Sequence, residues 1–363
     1  MITIGLLRNG KEEQHRREFK NVLKKVKELD KSEIPQFSFG ASELGLHGEN
    51  QREELEDFVK RWFENPGAFL NFKKFLRANT PPSVTEKNER KEKCYCFDSF
   101  LDEKDIAKFF ESKQPFYGRG EKIAFIILTH WNAFFHKYKH GTAFIRELFL
   151  PVATYRYFPE YQTEKVFAGK SRYDIVGPNI GLTIKGFWQD ILNIQYFAEF
   201  LKEKMGYSKV GIWAYSIGSP RGYLTSMFSA GLIDFLIMNF LAYSFPQSLL
   251  HGIATRPISK ELLKNLNEDT IEFLLSPLSP GQYTKYLGQL PQHTRLVQSK
   301  YDLVFGEENN KRMVEEFREH APFIEIEYGN FGHTTFGEIE KVIPVIYRNS
   351  RFVFRNSKLR FFL

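Results

Sequence analysis

The sequence predicts an α/β fold: a doubly wound, mostly parallel sheet with a helical N-terminal extension. Three observations predict it. From about residue 93 onward, short apolar runs of strand length alternate with stretches of helical periodicity, the pattern of crossover units on a parallel sheet. Several runs are apolar at consecutive positions, as strands covered on both faces require. The first ninety residues lack such runs and carry apolar residues at helical spacing among charges.

In the extension, residues 1 to 92, Phe19, Val22, Val26 and Leu29 recur at intervals of three and four. Asn79-Thr80-Pro81-Pro82 breaks that pattern, and the charged run Glu86 to Lys93 reads as a loop or linker leading into a second domain, 93 to 363. Ile123 to Leu128 is a continuous apolar strand ending at Thr129-His130-Trp131-Asn132, followed by a helix through Phe144, Ile145 and Leu148 and a strand from Val152 to Tyr157. The intervals between Phe187, Ile191, Ile194, Ala198, Leu201 and Met205 predict a helix that stops at Gly206. Val210 to Ala214 is the next strand, Tyr215 to Gly218 a turn, and Pro220 to Ser229 a helix. Leu232 to Met238 is another strand. Residues 240 to 292 are helical and interrupted by prolines, suited to a lid or insertion. Leu296 to Ser299 runs as a strand into Lys300-Tyr301-Asp302, and a helix spans Lys311 to Glu319. Phe323 to Tyr328 is the last strand, leading to Gly329-Asn330-Phe331-Gly332-His333, with a closing helix from Glu338 to Tyr347. No internal repeat or low-complexity segment occurs.

The composition narrows the function. With 363 residues and 42% hydrophobic content the chain can bury a large core, and 37 phenylalanines favour an apolar substrate. The net charge of +7 is dispersed among glutamates in stretches such as Lys11 to Lys31, so no nucleic-acid partner is expected. Cys94 and Cys96 stand two apart and would share one strand face, so no disulfide is expected. The start of the chain lacks the basic n-region and long apolar run of a signal peptide. Gly231 to Phe245 is too short for a membrane span. A cytoplasmic protein, not integral to a membrane, is the expectation.

Chemistry centres on Ser216. A serine hydroxyl needs a base to take its proton and a tight turn to lift it clear of the sheet, and the strand, turn and helix around Ala214-Tyr215-Ser216-Ile217-Gly218 supply the turn. The usual signature is G-x-S-x-G, so Ala214 replaces the first glycine. The base belongs after the final strand, where His333 stands, and the orienting carboxylate after the strand before it, where Asp302 stands. Each of the three follows a predicted strand, in the order serine, acid, histidine. An oxyanion would be held by the N–H of Ile217 and by that of Trp131 or Asn132. His130, Trp131, Tyr215 and Phe331 flank the predicted loops as substrate-binding candidates. Phe134, Phe135, Tyr138, Phe187, Trp188 and Phe336 could line an apolar cavity or pack the core, and Arg156 or Arg172 could bind a carboxylate.

On these residues the chain resembles the α/β-hydrolase superfamily over roughly 93 to 363, and His130-Trp131-Asn132-Ala133 looks like a microbial branch near dienelactone-hydrolase-like and esterase-like proteins. The resemblance implies a serine hydrolase cleaving an ester, thioester or amide through an acyl-enzyme and without metal or organic cofactor, and the aromatic residues flanking the loops point within that range to a small-molecule ester or thioester with an apolar acyl group. It implies nothing about oligomeric state. His136 and His140 are four apart, but no carboxylate pattern accompanies them or His130, so no metal is expected. The alternative reading is a non-catalytic binding protein, or an acyltransferase, on the same fold.

Overall fold

The computed structural model describes residues 2–29, 34–76, 81–89, 92–101, 105–111, 121–129, 152–159, 176–334 and 339–358. Nine strands form one sheet: β1 (Thr85–Glu89), β2 (Glu92–Asp98), β3 (Ile106–Glu111), β4 (Ile123–Leu128), β5 (Ala153–Pro159), β6 (Lys209–Tyr215), β7 (Phe235–Asn239), β8 (His293–Ser299) and β9 (Glu325–Gly329). Their order is β1-β2-β3-β5-β4-β6-β7-β8-β9. The three pairings from β1 to β5 are antiparallel, and the remaining five, from β5 through β4 to β9, are parallel. The chain passes from β4 to β5 on one side, then returns to β6 on the other, so the order reverses at β4. That reversal opens a crevice at the carboxyl ends of the strands, where open α/β sheets place ligands.

The consecutive apolar runs divide by the two-residue period of a strand. Ala124, Ile126 and Leu128 of β4, with Ile212 of β6 and Met238 of β7, belong to a core shared with the helices Ile180–Glu203, Gly218–Phe228 and Gln51–Glu64. Phe125, Ile127, Trp213 and Ile237 face the other way, onto Val342, Val345, Ile346 and Val353 of the helix Ile339–Arg355. Both sheet faces are therefore covered. Among the described residues no helix is long and apolar enough to cross a membrane.

The run Glu86 to Lys93, expected as a linker, departs from that expectation. Thr85–Glu89 is an edge strand paired with β2, its residues almost all exposed, and the alternating Glu and Lys side chains keep that edge solvated and unattractive to further strands. Cys94 and Cys96 lie on β2 as buried free thiols beside Phe110 and Phe158. The pro-rich stretch 240 to 292 forms the helices Phe245–His251, Arg256–Leu263 and Glu268–Leu275, with buried Leu249, Ile258 and Leu274 in the main core.

The extension is built into this core. The helix Gln51–Glu64 buries Leu55, Phe58, Val59 and Trp62. Trp62 stacks on Phe69 at 4.9 Å and donates its indole N–H to the Tyr283 hydroxyl at 2.7 Å. Trp188 packs against the same rings and donates to the Phe69 carbonyl at 2.7 Å, and Phe187 is fully buried against Phe245, so both pack with the main core. Burial of Trp62, Trp188 and Tyr283 at this density is tolerated because the polar atom of each finds a partner.

Candidate active site

Ser216 follows the last residue of β6 and adopts φ of +53°, a left-handed conformation that is costly for a residue with a side chain. Its amide donates to the Asn239 carbonyl at 2.9 Å and its carbonyl accepts from Ser219 at 2.8 Å, which closes the turn into the helix Gly218–Phe228. The strand thus ends with its serine raised off the sheet, the geometry of a nucleophile elbow. A Cβ on Gly218 would meet the Leu128 carbonyl oxygen at 2.8 Å, so the helix approaches β4 too closely for a side chain there. The methyl of Ala214, the departure from the usual signature, is accommodated one turn into the helix: Gly222 lacks the Cβ that would stand 3.2 Å from it.

Ser216, His333 and Asp302 are brought together in one hydrogen-bonded line. Ser216 Oγ lies 2.7 Å from His333 Nε2, and His333 Nδ1 lies 2.8 Å from Asp302 Oδ2. A carboxylate only accepts, so Nδ1 carries the proton and Nε2 offers its lone pair to the serine hydroxyl. Asp302 is fully buried. Burial alone would raise its pKa, but the neighbouring His333, the Phe305 N–H and the Asn310 amide together hold it below the ordinary aspartate value. Its Oδ1 accepts from the amides of Val304 and Phe305, both at 2.8 Å, and its Oδ2 also accepts from Asn310 Nδ2 at 3.0 Å.

The imidazole is held between aromatic rings. Phe240 stacks on it with centroids 4.5 Å apart and planes at 27°, and Phe305 meets it edge-on at 4.8 Å. Phe240 itself has φ of +68°, an unusual state for a bulky residue, immediately after β7. Its amide donates to the Val297 carbonyl, and the Gln298 side chain brackets the next residue, donating to the Leu241 carbonyl at 2.7 Å and accepting from its amide at 3.3 Å. The left-handed turn aims the Phe240 ring back over the carboxyl ends of the strands.

Beneath the elbow lies a buried ion pair. Arg221 on the helix Gly218–Phe228 pairs with Asp190 on the helix Ile180–Glu203, and both are almost wholly buried. Arg221 also donates Nε to the Ile217 carbonyl at 3.2 Å and Nη2 to the Thr129 carbonyl at 3.3 Å, while Asp190 accepts from the Tyr157 hydroxyl at 2.7 Å. The guanidinium ties the residue after the serine to the end of β4. Because removal of one partner strands the other charge in the core, Asp190→Ala is expected to cost about 3–5 kcal/mol of stability, read as a lowered urea midpoint. A midpoint equal to that of the wild type would remove the pair from the account of the fold.

Of the other expected site residues, Ile217 sits at the head of the helix, where first-turn amides lack helical partners. Tyr215 and Phe331 are buried in the cluster that also holds Trp213 and Phe240, behind the histidine. Arg156 pairs with Glu92 on β2 at 2.5 Å. His130, Trp131, Asn132 and Ala133 lie outside the described residues, as do Phe134, Phe135, His136, Tyr138, His140, Arg172 and Phe336. Phe240, Arg221 and Asp190 were not singled out from the sequence. Asp190 did carry a signal: three residues after Phe187 and four before Ile194, it is a charge on the apolar stripe of its helix. Phe240 carried none, since nothing in Asn239-Phe240-Leu241 announces a left-handed turn.

The strand order, the elbow after β6 and the acid and histidine loops after β8 and β9 define the class: the chain has the α/β-hydrolase fold. Its structure is similar to that of acetyl xylan esterase 1 from Thermoanaerobacterium sp., with a TM-score of 0.51 and 11% identity over 82% of this chain and 98% of that one. It is also similar to a highly thermostable carboxyl esterase from Bacillus coagulans, with a TM-score of 0.50 and 11% identity over 75% of this chain and 98% of that one. No protein-family model matches the chain, and no curated protein matches it. At these identities the likeness carries the fold, and chemistry has to be argued from the site.

Proposed function

We propose that the protein is a serine hydrolase that cleaves a carboxylic ester or thioester, with Ser216 as nucleophile, His333 as general base and Asp302 orienting it. The observation that carries this reading is the unbroken line from Ser216 Oγ through both nitrogens of His333 to Asp302. In the first step Oγ attacks the carbonyl carbon as its proton passes to Nε2, and the carbonyl oxygen becomes an oxyanion. The Ile217 amide, with an amide of Trp131 or Asn132, would receive that oxyanion. Collapse expels the alcohol or thiol, which takes the proton from Nε2 and leaves an acyl group on Oγ. Water then gives its proton to Nε2 and attacks the acyl carbon, and Ser216 regains its proton as the acid leaves.

The aromatic surroundings of His333 support a small-molecule substrate with an apolar acyl or alkyl group. The test is covalent labelling by a fluorophosphonate, read by intact mass. Wild type is expected to gain one adduct and Ser216→Ala none. A folded wild-type protein that takes no label would sink the hydrolase reading and favour a binding protein on the same fold.

Phe240→Leu supplies a finer test. It keeps apolar bulk but removes the flat face on the imidazole, a contact worth roughly 0.5–1.5 kcal/mol. The expected result is a fall in kcat of about 2- to 10-fold with little change in KM, measured on whichever ester the wild type cleaves. An unchanged kcat would mean that the stacked ring serves packing alone.

A further inference from the structure

The helix Ile2–Leu29 lies across the loops that carry Asp302 and His333. Two of its side chains, Glu18 and Val22, stand one turn apart and are both fully buried. Val22 packs with Ala254 and Ile253 and with Leu303 and Val304, the two residues after Asp302. Glu18 reaches the histidine loop. Its two carboxyl oxygens accept the Thr334 amide at 2.8 and 2.9 Å, and Oε2 also accepts the Thr334 hydroxyl at 2.7 Å. One turn before Glu18, His15 faces Glu307 at 3.7 Å, at the start of the helix Glu307–His320. One face of the helix therefore contacts both of the loops that carry the acid and the base.

A second observation points to the same contact. A Cβ built on Gly332 would come within 2.3 Å of Glu18 Oε2 and 2.4 Å of its Cδ. The residue just before His333 has to be a glycine for the carboxyl group to sit where it does. Burial of a carboxyl group is costly unless its oxygens are satisfied, and Thr334 supplies donors from both backbone and side chain. The contact is thus a built one, with a residue on each side fitted to it.

Resting on the hydrolase reading above, we infer that Glu18 is a positioning residue: it fixes the loop around His333, so that the N-terminal helix is a component of the active site. The base must stay within hydrogen-bonding reach of Ser216 Oγ and Asp302 Oδ2 at once, and its loop is held two residues before it by Ser299 Oγ and the Tyr301 amide, which both donate to the Phe331 carbonyl. Glu18 holds the same loop at Thr334, the residue after the histidine. Without it, His333 can leave the line while its partners remain in place. Displacement of a catalytic group by about 1 Å costs on the order of 100-fold in rate.

The experiment compares full-length Glu18→Ala, Glu18→Gln, Gly332→Ala and the Glu18→Ala/Gly332→Ala double variant, by steady-state kinetics and by hydrogen exchange of the peptide that covers Thr334. Glu18→Ala is expected to lose roughly 10- to 100-fold in kcat with KM nearly unchanged, and to speed exchange at the loop. Glu18→Gln keeps an oxygen for the Thr334 amide and an N–H₂ for its hydroxyl, so it is expected to restore most of both. Gly332→Ala should expel the Glu18 carboxyl group and reproduce the Glu18→Ala loss, and the double variant should be no worse than either single one, because both remove the same contact. A wild-type kcat in Glu18→Ala, a loss confined to KM, a Gln variant as impaired as the Ala variant, or additive losses in the double variant would each overturn the inference. Failure of the wild type to take the fluorophosphonate would instead overturn the hydrolase reading, and the exchange data would still decide whether Glu18 holds the loop.

Discussion

Ser216→Ala is expected to lower turnover by on the order of a million-fold while leaving the protein folded. The size follows from the role: with no Oγ there is no acyl-enzyme, and a His333 without its hydroxyl partner has only water to activate. The retained fold follows from the local structure. Alanine carries the same left-handed strain at φ of +53° as serine, and both backbone hydrogen bonds of the turn survive the change. Among the described residues the one side-chain bond lost is that to Nε2, worth about 0.5–1.5 kcal/mol. Thermal unfolding alongside the kinetic assay checks both halves. Turnover equal to that of the wild type on every ester tried would refute Ser216 as the nucleophile.

Asp302→Asn is expected to cost about 10⁴-fold in kcat and to leave a residual rate above that of Ser216→Ala. Oδ1 accepts two backbone amides, from Val304 and Phe305, so the oxygen of the new amide has to take that position. Its NH₂ then faces His333 Nδ1, which must give up its proton and accept. The proton moves to Nε2, and the imidazole can no longer accept from Ser216. Asn310 can follow the change by rotating its amide, because its Oδ1 has no hydrogen-bond partner among the described residues. The site therefore settles into the wrong tautomer without a strong penalty on the fold. Kinetics of Asp302→Asn with a matched unfolding curve tests this, and an undiminished kcat would show that Asp302 does not set the tautomer.

Much of the fold was legible in the sequence because both faces of the parallel strands are covered. Consecutive apolar runs such as Ile123 to Leu128 and Val210 to Ala214 have few other uses in a chain of this composition. Helices were legible in their interiors and less so at their starts. The periodicity from Phe187 marks the buried face, yet the helix begins at Ile180, capped by the Asn179 side chain, where Gly181 and Thr183 interrupt the apolar count. Thr85–Glu89 was not legible as a strand, since an exposed edge strand made of charges has the composition of a loop. Phe187 and Trp188 had two readings open, cavity or core, and tertiary packing against Phe245 and the Phe69–Trp62 group placed them in the core.

What the sequence by itself determined was the order of parts: a strand before each of Ser216, Asp302 and His333, and an elbow with a small residue on either side. Strand and helix periodicity are local, and chain order follows from them. What only the tertiary structure decided was which distant groups meet. The left-handed Phe240 that covers the imidazole, the Arg221 and Asp190 pair under the elbow, the Gly222 that makes room for Ala214, and the Glu18 that reaches Thr334 from 316 residues away all depend on contacts between segments remote in the chain. No spacing rule encodes such contacts. They are fixed by close packing, where the space left by one side chain is the place another must fill.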